Sequence, residues 1–202
     1  MVRAVWEYGA ALVLLASFAT WLLGAVGLVR GGRGMAVAAA ASSVLGIIPV
    51  GGLSAASMVL SLSPSLSVAG TALWAALLAK RLTGYDILGV RGAPGLGLLI
   101  LAVSVTVYVS YLGGIGADIY DSGYGFSAWD IILALAAALM FIRGSMLCRV
   151  LMACLAAHAM GLMGSGNIFD TIVDGPAFIA SAAVVFRAAL PARPSLPKRP
   201  GL

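Results

Sequence analysis

Residues 95–112 read GLGLLILAVSVTVYVSYL. These 18 consecutive residues carry no charge, and their apolar side chains follow neither a period of two nor one of 3.6. A helix that is hydrophobic all round has to be buried, either in protein or in lipid. A run of about 18 such residues argues for lipid. The rest of the chain has the same texture. Of 202 residues, 62% are hydrophobic and 9% charged, whereas soluble domains are about half apolar and a quarter charged. The 12 basic and 7 acidic residues are too few to coat a water-soluble fold of this size. The expected fold is all-α, a polytopic transmembrane helical bundle formed by residues 1–190 as one domain. The longest stretch between apolar runs, 113–127, leaves no room for a folded extramembrane domain.

The apolar runs predict about seven spans. Span 1 covers 5–29; its apolar part is too long for the core of a signal peptide. The glycine-arginine stretch 30–34 ends it. Span 2, residues 35–62, has 28 residues and would be about 42 Å long against a hydrocarbon core of about 30 Å. Pro49, followed by Gly51 and Gly52, predicts a kink or break there. Ser63-Pro64 reads as a helix start, opening span 3, which runs to Ala79 and ends in Lys80-Arg81. Spans 4, 5 and 6 cover 95–112, 128–142 and 146–163. Ile168, Phe169, Ile172 and Val173 suggest the apolar face of a short interfacial helix. Span 7, 176–190, is short at about 22 Å. The tail 191–202, basic and rich in proline, is expected to be disordered.

Charge tests the count, because Lys and Arg concentrate in cytoplasmic loops. Seven crossings place 11 of the 12 basic residues on one side and 6 of the 7 acids on the other. A non-crossing Pro49 segment would scramble that pattern. The N-terminus is therefore expected outside, the C-terminus in the cytoplasm, and the chain in the cell membrane. The net charge of +5 reflects this topology, and nucleic acid is not an expected partner.

Few residues carry chemistry. His158 is the sole histidine and falls inside span 6, where an ionisable group is a functional candidate by default. With Pro49 and Ser54 it forms a candidate intramembrane polar site. One histidine cannot ligate a haem from both faces, and the sequence sets no carboxylate near it, so neither cofactor nor metal is expected. Asp118, Asp121, Asp170 and Asp174 form a candidate outer acidic cluster, which would bind a divalent cation if its two loops met. Read separately, Asp170 and Asp174 suit the N-terminus of span 7, and Asp130 the first turn of span 5. Tyr111, Tyr120, Tyr124, Phe126 and Trp129 read as an interfacial belt. Ser104, Ser110 and Ser165 lie in no nucleophile motif. Cys148 and Cys154, six residues apart, point to different sides of one helix and cannot pair. The many glycines, with serines 54, 57 and 61, indicate close helix packing.

Arg30-Gly-Gly-Arg33-Gly and Gly164-Ser-Gly-Asn167 resemble fragments of the phosphate-holding loops of the small seven-span glycerol-3-phosphate acyltransferases. The fragments stand in reverse order, face opposite sides by the charge argument, and lack the rest of each motif, so the resemblance is read as chance. The expected function is a non-catalytic subunit or assembly component of a membrane complex, with the bilayer and other membrane subunits as partners. The alternative is a facilitative transporter or channel built on the Pro49 break and His158. An intramembrane enzyme ranks below both.

Overall fold

The computed structural model describes residues 1–89, 91–113 and 118–190, and it is all-helical. Among the described residues eight α-helices follow one another: α1 (Val2–Ala25), α2 (Gly31–Ile47), α3 (Ala55–Leu62), α4 (Val68–Thr83), α5 (Gly92–Tyr111), α6 (Ala128–Ile142), α7 (Leu147–Ala159) and α8 (Gly175–Ala189). Short 3₁₀ turns cover Asp121–Gly123 and Ile168–Thr171. By length and composition, α1 and α5 can each cross a membrane, while α6, α7 and α8 are apolar but shorter.

The 28-residue run read as span 2 is two separate helices. Proline disfavours the helical region for the residue before it, and Ile48 is extended, with φ −69° and ψ 123°. Gly51 and Gly52 then take positive φ (63° and 90°), which glycine adopts without Cβ strain. They reverse the chain so that Val50 pairs with Leu53. Ser54 caps α3 by accepting from the Ser57 N–H. With eight residues, α3 is about 12 Å long and packs on α1 and α2.

Two further expectations are corrected. Ser63 closes α3, and α4 is capped instead by Ser67, whose Oγ accepts from the Gly70 N–H. The Ile168–Val173 segment is no interfacial helix. It is a 3₁₀ turn and its continuation, with Ile168, Phe169 and Ile172 at 5% exposure or less. Asn167 caps the turn, which plugs the bundle against α7.

Packing sorts the helix ends. α1 and α4 are parallel: Trp6 Nε1 donates to the Leu66 carbonyl and Arg81 Nη1 to the Ser17 carbonyl. α2 runs the other way, with Gly32 against Leu82 and Gly46 against Leu12 and Leu15. α8 is parallel to α4 and antiparallel to α5, where Gly97 faces Ser181 and Val185 and Tyr108 meets Phe178 edge-on. Thus α1, α4, α6 and α8 begin at one end, and α2, α5 and α7 at the other. Six of the seven acids lie at the first end and eight of the nine described basic residues at the second.

The core is built on small residues. Gly70 of α4 touches Ala177 of α8, and Gly97 of α5 touches Ser181, so backbones approach closely where a larger side chain would wedge them apart. Around these contacts Leu73, Leu96, Ile100 and Ile168 are fully buried. The periphery keeps large apolar side chains exposed, among them Val105, Ile131, Leu135, Phe141, Ile179 and Phe186.

Candidate functional site: the acid-rich end and the α6–α7 groove

Asn167 holds together the loops at the acid-rich end. Its side chain is fully buried; Nδ2 donates to the Tyr120 carbonyl (2.8 Å) and Oδ1 accepts from the Phe169 N–H (3.0 Å). Tyr124 bridges to Asn167 through the backbone, and Gly123 packs so tightly on Asn167 and Phe169 that a Cβ has no space. The aromatic residues join this assembly: Trp129 and Tyr120 both pack on Phe169, and Trp129 Nε1 donates to Ser122 Oγ. Tyr111 and Phe126 remain exposed. Asn167→Asp would put an acceptor where a donor faces the Tyr120 carbonyl. We expect a loss of about 2–3 kcal/mol, read as a lowered Tm in detergent, and Asn167→Asp at wild-type Tm would refute this role.

The four acids of the sequence-predicted outer cluster do separate work. Exposed Asp118 accepts from the Asp121 N–H, and Asp121 is exposed. Asp170 accepts from the Tyr120 hydroxyl at 3.0 Å. Burial, and then this carboxylate, push the Tyr120 phenol well above its ordinary range. Asp174 is a buried staple between two helix starts. Oδ1 accepts from the Ala177 N–H, and Oδ2 from both the N–H and the hydroxyl of Ser67, each at 2.6 Å. Burial raises its carboxyl above the usual carboxylate range, against the pull of those three donors. Among the described residues, no three His, Cys, Asp or Glu side chains are grouped to hold a metal ion.

His158 does have a carboxylate neighbour, contrary to the sequence reading. Its Nε2 lies 3.5 Å from Asp130 Oδ1 and 3.0 Å from the Gly125 carbonyl. That carbonyl can only accept, so the Nε2–H tautomer is assigned. Asp130 completes a capping box: Oδ2 accepts from the N–H and hydroxyl of Ser127, which fixes where α6 begins. A signal for the pair was present in the sequence. Asp130 precedes the Gly144 turn by 14 residues and His158 follows it by 14 (144 − 130 = 158 − 144), so an antiparallel hairpin folded at Gly144 must bring them level.

This pair lies at the mouth of a groove of ≈ 690 Å³ between α6 and α7. Its walls are Ile131, Leu135 and Leu155, with Ala134 on its floor. Ala134 also lines a second groove of ≈ 580 Å³, which continues past Ala138, Phe141 and Met152 to Arg149. Pro49 and Ser54 do not join His158. Pro49 is exposed in the α2–α3 turn, and Ser54 is spent on capping α3, whereas this groove belongs to α6, α7 and the loops at their ends. The Arg30–Arg33 and Gly164–Asn167 fragments lie at opposite ends of the bundle. Comparison with protein-family models, with curated proteins and with solved structures finds no match to this chain.

Proposed function

We propose that the chain crosses the cell membrane seven times, through α1, α2 and α4 to α8, with its acid-rich end outside and its basic end in the cytoplasm. In this reading it serves as a non-catalytic subunit or assembly component of a membrane complex. The sorting of charge between the two ends supports the topology. The position of α6 carries the functional reading. Its principal neighbour is α7, and Ile132, Leu139 and Ile142 are exposed along it, outside the grooves it forms with α7. A helix packed on one side offers the other to a transmembrane helix of a second subunit. The transporter alternative needs Pro49, Ser54 and His158 around one path, but Pro49 and Ser54 belong to the α2–α3 turn, and the groove that His158 lines contains neither.

Two measurements test these statements. In a chain carrying Cys148→Ala and Cys154→Ala, Asp121→Cys should react with an impermeant thiol reagent from outside, and Arg143→Cys only from the cytoplasm. Labelling of both from the same side would rule out the topology. A photo-crosslinker at Leu139 should yield one dominant protein adduct in native membranes. Recovery of a lone, monodisperse chain without adduct would sink the subunit reading.

A further inference from the structure

The α6–α7 groove has the features of a lipid site. A ligand site is mostly apolar, holds a few convergent polar groups and has a volume of about 300–1,000 Å³; the upper groove, at ≈ 690 Å³, falls in that range. Along α6, the distance from Asp130 to Phe141 is about 17 Å. An acyl chain is about half as long as a hydrocarbon core ~30 Å thick, so a single one reaches along the two grooves end to end. Gly125 and Gly166 border the mouth, and open space lies where their side chains would be.

The mouth sets the head group. Asp130 is 5% exposed. Both hydrogen bonds its side chain accepts, from Ser127, fall on Oδ2. His158 Nε2–H is committed to the Gly125 carbonyl, and Asp130 Oδ1, 3.5 Å away, makes no hydrogen bond among the described residues. On so buried a side chain, a carboxylate oxygen with spare acceptor capacity is best satisfied by a charged donor. We propose that the groove binds an outer-leaflet phospholipid with a primary ammonium head, which donates to Asp130 Oδ1 while one acyl chain lies over Ala134 between α6 and α7. A quaternary ammonium has the same charge but no N–H, so it forms no such bond. The proposal rests on the chain lying in a membrane with this end outward, and it is independent of any protein partner.

The experiment is retention of lipid by the purified full chain, measured by native mass spectrometry. The probes are phosphatidylethanolamine, its N-methyl and N,N-dimethyl forms, and phosphatidylcholine, all with the same acyl chains. Retention should hold through the dimethyl lipid and fall about tenfold when the last N–H is lost. Ala134 is exposed, so Ala134→Phe fills the groove without entering the core and should abolish retention of all four. Asp130→Asn should bring ethanolamine and choline lipids to within twofold of each other. Because Asp130 also caps α6, the methylation series on the wild-type chain decides the matter if that variant does not fold. Equal retention across the series, or undiminished ethanolamine binding by Ala134→Phe, would overturn the proposal. The crosslink at Leu139 reports on the protein partner separately and need not change with either result.

Discussion

Asp174→Ala should lose about 3–5 kcal/mol of stability, a large part of the roughly 5–15 kcal/mol that holds a typical domain together. The carboxylate caps α8 and also reaches across to the start of α4. Ser67 and Ala177 are fully buried, so truncation leaves two backbone N–H groups without partners where no water can replace them. Each such donor costs about 1–3 kcal/mol, and the bond lost by the Ser67 hydroxyl about 1 kcal/mol more. Asp174→Asn separates the two tasks. Its side-chain oxygen still caps Ala177, but its NH₂ then opposes the Ser67 N–H, so about half the loss should remain. Thermal unfolding in detergent, followed by circular dichroism, measures both. Asp174→Ala within 1 kcal/mol of wild type would show that the staple contributes nothing.

Gly70→Ala should cost about 3 kcal/mol, large for the addition of one methyl group. A Cβ at position 70 would lie 2.5 Å from the Ala177 Cβ, 2.7 Å from Ser67 Oγ and 2.8 Å from Asp174 Oδ2. The Ala177 methyl has no rotamer to change, so α8 itself must withdraw, and the Ser67–Asp174 bonds stretch with it. Gly9→Ala is the matched control. It is exposed within α1, and a Cβ there meets nothing within 4 Å, so helix propensity alone should gain up to about 1 kcal/mol. If both variants shift Tm alike, propensity governs position 70 and close approach does not. A double-mutant cycle with Ala177→Gly should recover part of the Gly70→Ala loss, since the two sites are in direct contact.

These two residues show how far the sequence could be read. α6 was legible to the residue, 128–142, because the Ser127–Asp130 box and the Arg143-Gly144 turn are local signals. α5 was legible because its all-round apolar run admits no other reading. Pro49 announced a break, and its effect on Ile48 is equally local. The start of α4 was misread because Ser63-Pro64 has the better local signature; Ser67 wins through Asp174, 107 residues away. The buried 3₁₀ turn at Ile168–Thr171 was misread for a similar reason, since its apolar face is the same whether it meets lipid or α7.

The uncharged run from Gly95 to Leu112 and the like runs around it determined by themselves that this is an all-helical chain with helices apolar enough for a membrane. Composition and the sorting of charge determined which loops belong together. Those are properties of single segments, and they survive in any arrangement of the helices. The hydrogen bond of His158 to the Gly125 carbonyl, the splitting of the four acids into unrelated tasks and the groove between α6 and α7 were decided only by the tertiary structure. Contacts of that kind depend on which helix faces meet and at what height, and in a chain of near-uniform apolar helices hydropathy does not distinguish one face from another.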